Sequence, residues 1–304
     1  MGDDSGWSTA IGGNPAGIGG RSARIGEIAG YYDEKTARLI DKYGPGPRVH
    51  YHTGISDGRF DEGAGTKVLS AAMFKAQELI MAEISGALGD SLPRGRSPRL
   101  LDVGCGLGGA SIYLAQEAGA EVTGITIAAE HLKHARVFAE RAGVAARVDF
   151  RQADAHRFEA EEPYDGAIAL ESSCYLDRRP WLERMAALLR PRAELHVFEW
   201  MRGSDERAAA FVDGYWKTSM GEPREYREAA AAAGFELVSE SRLNERTCGF
   251  WALARAWNRA AALRPGTSAE EKLRLERSSE AISLLETAFG DGGLLQVYLV
   301  LRRP

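Results

Sequence analysis

The stretch Leu100-Leu101-Asp102-Val103-Gly104-Cys105-Gly106-Leu107-Gly108-Gly109-Ala110 constrains this chain more than any other. An apolar run reaches an acid, four glycines crowd the positions that follow, and Ser111-Ile112-Tyr113-Leu114-Ala115 restores helical spacing. The pattern reads as strand, tight loop, helix. Such a loop needs glycine where φ turns positive or where a ligand comes against bare backbone. The helix behind it offers unsatisfied N–H groups and the positive end of its dipole. The glycine order is G-x-G-x-G-G rather than the G-x-G-x-x-G of dinucleotide loops, and the lysine of a phosphate loop is missing. A plain turn needs fewer glycines, so the loop points to a ligand.

With 304 residues the chain is long for one minimal domain, which predicts a core with elaborations. A sequence 44% hydrophobic and 27% charged is that of a soluble globular protein. Three cysteines without metal spacing fit a reducing cytoplasm, and Cys105 reads as a small filler of the glycine loop. The net charge of −5 argues against a nucleic-acid surface. No apolar run reaches the roughly 18 residues that a membrane span needs. Residues 1–23, rich in Gly, Ser and Asp, read as a flexible tail without the regions of a signal peptide.

Residues 24–42 carry aromatic and charged side chains at helical spacing. Tyr31 and Tyr32 within them either cover a ligand or staple this helix. The prolines and glycines that follow forbid a regular element before Arg48-Val49-His50-Tyr51-His52. A loop with a guanidinium, two imidazoles and a phenol is suited to gripping an anion. Residues 24–70 are therefore expected to form a helical cap and substrate loop, and 71–304 the core. An amphipathic helix is expected over residues 71–88. From 100 to 200, strands at 100–103, 121–126, 146–152, 164–170 and 194–200 alternate with helices, which predicts a doubly wound, mostly parallel α/β sheet. Two later strands, 235–243 and 294–301, complete seven, the last entering antiparallel. Helical lid insertions are expected at about 203–221 and 247–288. Strand exits at the carboxyl edge of such a sheet are where ligands bind, and Glu171 lies at one of them, on the same edge as the glycine loop.

The Asp102-x-Gly104-x-Gly106 loop resembles motif I of the class I S-adenosylmethionine-dependent methyltransferases. The resemblance implies that Asp102, Gly104, Cys105 and Gly106 hold the methionine part of that cofactor and that Asp154 and Ala155 meet the adenine. The acid usual at the end of the second strand is replaced by Thr126, so Thr126 or Glu130 takes the ribose. The longer pattern, with His50-Tyr51-His52-Thr53-Gly54 ahead of motif I, Glu171-Ser172 with Tyr175, and Asp291-Gly292-Gly293 before a strand holding Gln296 and Tyr298, is similar to geranyl and other prenyl diphosphate C-methyltransferases.

That second resemblance implies methylation of an alkene carbon and a carbocation that Glu171 deprotonates. Arg48, His50, Tyr51 and His52 would bind the diphosphate; Tyr215, Trp216, Trp251 and Tyr298 would line the prenyl pocket. Mg²⁺ would travel with the diphosphate, near His50 and His52, rather than sit in a site held by protein alone. The substrate is then a small molecule, with neither nucleic acid nor membrane as partner, and self-association into a homo-oligomer stays open. The alternative is O-, N- or C-methylation of an aromatic or indole natural product. A third reading is a cofactor-binding scaffold without turnover.

Overall fold

The computed structural model describes residues 18–304, with side chains from Ala23 onward. The expected tail lies outside the described residues as far as 17; from Ile18 the chain is already helical, in α1 (Ile18–Tyr43). The second helix, α2 (Thr66–Ser91), also starts earlier than the 71 expected and buries Leu69 and Met73 with its later turns. Gly65 precedes it in extended backbone, so Thr66 and Lys67 supply a polar first turn that the apolar periodicity does not mark.

The core then alternates: β1 (Arg99–Val103), α3 (Gly109–Glu117), β2 (Glu121–Thr126), α4 (Ala129–Arg141), β3 (Val148–Gln152), β4 (Tyr164–Leu170), α5 (Arg178–Leu188) and β5 (Leu189–Arg202). After these come α6 (Glu206–Trp216), α7 (Pro223–Ala232), β6 (Glu236–Arg242), the short α8 (Asn244–Thr247), α9 (Gly249–Ala262), α10 (Ala269–Gly290) and β7 (Leu294–Arg302). The expected seven-stranded, mostly parallel sheet is present in the order β3-β2-β1-β4-β5-β7-β6. β7 runs antiparallel between β5 and β6. β5 is longer than 194–200 because Leu189 pairs with Tyr164 while Glu194 pairs with Gly166, and the extra residues bulge around Pro191.

Side-chain alternation sends Leu100 and Ile168 to one face of the sheet, with α2, α3 and α4, and Leu101 and Ala167 to the other, with α5 and α7. A third apolar cluster joins α6, α9 and α10 to the start of α2 and to Trp200 at the end of β5. These insertions roof the carboxyl edge of the sheet. α1 packs on α2 and α4 and closes the same edge from the side.

Candidate active site

Two cavities meet at that edge. The larger, about 930 Å³, follows the ends of β1, β2 and β4 and is lined by Asp102, Gly104, Cys105, Gly106, Thr126, Asp154 and Ala155. The smaller, about 220 Å³, lies under α1, α9 and α10. Tyr32, Tyr51, His52, Glu171, Tyr175 and Thr218 line both, so these residues form the passage between them.

The larger cavity has the features of a cofactor cradle. Gly106 holds φ +52°, and a Cβ there would meet nothing closer than 3.8 Å, so bare backbone faces the opening. At Gly109 a Cβ would lie 2.5 Å from the carbonyl oxygen of Val49, so only glycine lets the incoming loop pass over the start of α3. Asp102 accepts a hydrogen bond from Ser111 Oγ at 2.6 Å. Its burial, against that bond, raises its pKa to about 6. His131 of α4 lines the same cavity with Nε2 buried and unpartnered among the described residues, and burial lowers its pKa to about 4. A neutral imidazole with a spare nitrogen fits a polar ligand there. Thr126 Oγ1 already accepts from the amide of Ala128 at 3.2 Å.

Glu130 departs from its expected place. Its carboxylate pairs with Lys133 one turn along an exposed face of α4, and it does not line the cavity. Of the two groups expected at the ribose, only Thr126 faces the opening.

Glu171 follows β4 with φ +47°, a left-handed conformation uncommon for a residue with a side chain. Its amide donates to Phe198 O at 2.7 Å, and the amide of Thr53 donates to its Oε1 at 3.0 Å. Burial raises its pKa to about 8, opposed by the hydrogen bonds with Thr53 and reinforced by the nearby Glu199 carboxylate. No ion pair holds it among the described residues. It is thus a carboxyl group poised between its two protonation states near neutral pH, in the passage between two cavities.

The loop ahead of motif I is built differently from the expected anion grip. Arg48 pairs with Glu78 and Glu117, both at 2.8 Å, and lines neither cavity. His50 Nε2 lies 2.7 Å from Glu78 Oε1, and His52 Nε2 lies 3.4 Å from His50 Nδ1. Both imidazoles are buried; desolvation lowers both pKa values, His52 to about 3. Gln77, fully buried in α2, donates to the carbonyls of His50 and His52. The segment is a pillar that places Thr53 on Glu171 and Tyr51 in the passage. Its cation is neutralised by helices on either side.

Tyr215, Trp216 and Trp251 line the smaller cavity, joined by Trp200, Phe250 and Trp257. Trp200 meets Trp216 and Trp251 edge-to-face at 5.8 and 5.3 Å. Tyr298 does not join them. It lies on the same face of the sheet as Trp200 but further from the carboxyl edge, opposite Phe198, where its hydroxyl meets His196 Nδ1 at 2.6 Å, and it lines neither cavity. Tyr32 is in the passage, its hydroxyl 2.5 Å from that of Tyr175. The sequence reading missed His131, Gln77 and Trp200. For Trp200 the signal was present, since it closes a strand on the ligand-binding edge.

No group of three or more His, Cys, Asp and Glu side chains among the described residues is placed to hold a metal ion. Nor is any described helix long and apolar enough to cross a membrane.

Residues 100–192 match the model of a methyltransferase domain. The chain is 28% identical to the methyltransferase GfsG of Streptomyces halstedii, over 73% of this chain and 77% of that one. It is 25% identical to the O-methyltransferase resE of Aspergillus sclerotiorum, over 70% of this chain and 76% of the other. Its fold matches the geranyl diphosphate C-methyltransferase of Streptomyces coelicolor A3(2), solved with Mg²⁺, geranyl diphosphate and S-adenosyl-L-homocysteine. That likeness has a TM-score of 0.71 and 18% identity and covers 96% of this chain and all of the other.

Proposed function

Because the chain is a class I S-adenosylmethionine-dependent methyltransferase, we propose that it methylates an alkene carbon of a prenyl diphosphate, with geranyl diphosphate favoured. One observation carries this reading: Glu171, a half-buried carboxyl held by Thr53, stands in the passage between the cofactor cradle and a chamber walled by tryptophans.

When bound in the cradle, S-adenosylmethionine supplies a sulfonium methyl group. Tyr32, Tyr51 and Tyr175 narrow the passage so that an acceptor in the smaller cavity meets that methyl at one point. The alkene π pair forms the new C–C bond, the S–CH₃ pair stays on sulfur, and a cation is left on the neighbouring carbon. Trp200, Trp216 and Trp251 wall the chamber in which this charge forms, and a ring face turned to it stabilises the cation. Ionised Glu171 removes a proton from the methylated carbon, and the released C–H pair restores an alkene. Burial makes this carboxylate a stronger base than a solvated one.

The likeness to a geranyl diphosphate enzyme supports the prenyl acceptor, whereas O-methyltransferase relatives such as resE support an acceptor oxygen. An alkene acceptor carries no acidic O–H, so its product requires a base at carbon. Glu171→Gln tests this: turnover with geranyl diphosphate is expected to fall by about 10²-fold or more, with cofactor affinity within about twofold. Undiminished turnover would remove Glu171 as the base at carbon.

A further inference from the structure

The proposed reaction needs a place for the anionic end of its substrate, and the Arg48 loop does not supply one. We propose that Lys35, Arg38 and Lys42 of α1, with Arg274 of α10 and the side chain of Asn258, form an anion subsite in the smaller cavity for a diphosphate. This rests on the prenyl diphosphate reading.

Lys35, Arg38 and Lys42 stand at i, i+3 and i+7, so one stripe of α1 carries all three. Each lines the smaller cavity, as does Arg274 from the facing helix. The one carboxylate among the lining residues is Glu171, whose own contacts are with Thr53 and Trp200. Nearby acids are already committed: Glu271 pairs bidentately with Arg274, and Asp41 pairs with Arg264. Among the described residues neither lysine has a carboxylate partner. Lys42 Nζ donates to Ala254 O at 3.0 Å and to Asn258 Oδ1 at 2.9 Å and sits 5.3 Å from the Trp257 ring. Lys35 lies over the Tyr31 ring at 3.6 Å.

A second observation agrees. Asn258 is 2% exposed, and its Nδ2 has no partner among the described residues although its Oδ1 is taken by Lys42. Burial and the repulsion of Arg274 lower both lysines, Lys42 to about 7 and Lys35 to about 8. Two lysines crowded beside Arg274 with no carboxylate of their own are what an arriving dianion relieves. The adjoining tryptophans then receive the prenyl tail, and the substrate lies between the cation stripe and Glu171.

Inorganic pyrophosphate is the probe for the head group alone, read by quenching of the tryptophans that line the cavity. Geranyl diphosphate and geraniol separate the anion from the tail. Pyrophosphate and geranyl diphosphate are expected to bind and geraniol to bind at least tenfold more weakly, about the loss of one charge-assisted contact. In Lys42→Met, and in Arg38→Gln at an exposed position, the KM for geranyl diphosphate is expected to rise about tenfold. The kcat should stay within about twofold, and pyrophosphate binding should weaken in parallel. Unchanged KM and pyrophosphate affinity in Arg38→Gln and Lys42→Met, with cofactor binding intact, would overturn the subsite. So would failure of the unsubstituted chain to bind pyrophosphate. If pyrophosphate binds and the substitutions weaken it while no prenyl diphosphate is methylated, the subsite stands and the alkene reaction falls.

Discussion

The amide of Thr53 donates to Oε1 of Glu171 across 3.0 Å, tying the loop ahead of motif I to the exit of β4. The two residues are 118 apart in the chain, and the contact turns an apparent binding loop into a support for a carboxyl group. Gln77 fixes the loop from behind. Gln77→Ala removes two buried hydrogen bonds and should cost about 2 kcal/mol of stability. It should also lower kcat more than it changes the KM of either substrate, as steady-state kinetics would show. An unaltered kcat in a folded variant would detach the loop from Glu171.

The raised pKa of Glu171 sets a pH dependence. The base must be ionised, so kcat should rise with pH along a limb at or below about 8, since positive charge in the neighbouring cradle favours the carboxylate. For stability the sign is opposite. A carboxyl whose folded pKa exceeds its unfolded value holds its proton more tightly when folded, so its contribution is full below about 4.5 and is lost as pH rises through about 8. Glu171→Gln should therefore gain Tm over the unsubstituted chain progressively across that window, by a few degrees. A constant Tm difference from pH 5 to pH 9 would contradict a proton-holding Glu171.

Arg48→Ala should leave the KM for a prenyl diphosphate unchanged, because Glu78 and Glu117 hold the guanidinium outside both cavities. The cost should be about 1 kcal/mol of stability, from partly exposed ion pairs. A KM raised tenfold would restore the loop as the anion grip.

Trp251 stacks on Phe289 at 5.7 Å and meets Trp200 edge-on. Trp251→Leu keeps the wall apolar but removes a ring face, and kcat should fall about tenfold, the scale of one desolvated cation–π contact. Equal kcat would mean that the chamber provides shape alone.

The sheet was legible because strands and helices are written in local periodicity, and the cradle because its residues sit at strand ends where the fold must bind ligands. Residues whose role depends on distant partners were not. Arg48 reads as free until Glu78 and Glu117 come beside it, and Tyr298 reads as a pocket residue until the register of β7 sets it opposite Phe198, back from the sheet edge and within reach of His196. The stripe of Lys35, Arg38 and Lys42 has the spacing of any solvated helix face. Only the roof of α9 and α10 makes it the lining of a cavity.

The most direct measurement is the product formed from methyl-labelled S-adenosylmethionine and geranyl diphosphate, compared with a panel of phenols and indoles. The account predicts a prenyl diphosphate one carbon longer, with the label on an alkene carbon and the diphosphate intact. Label on a phenol oxygen or an indole, with none on any prenyl diphosphate, would contradict it.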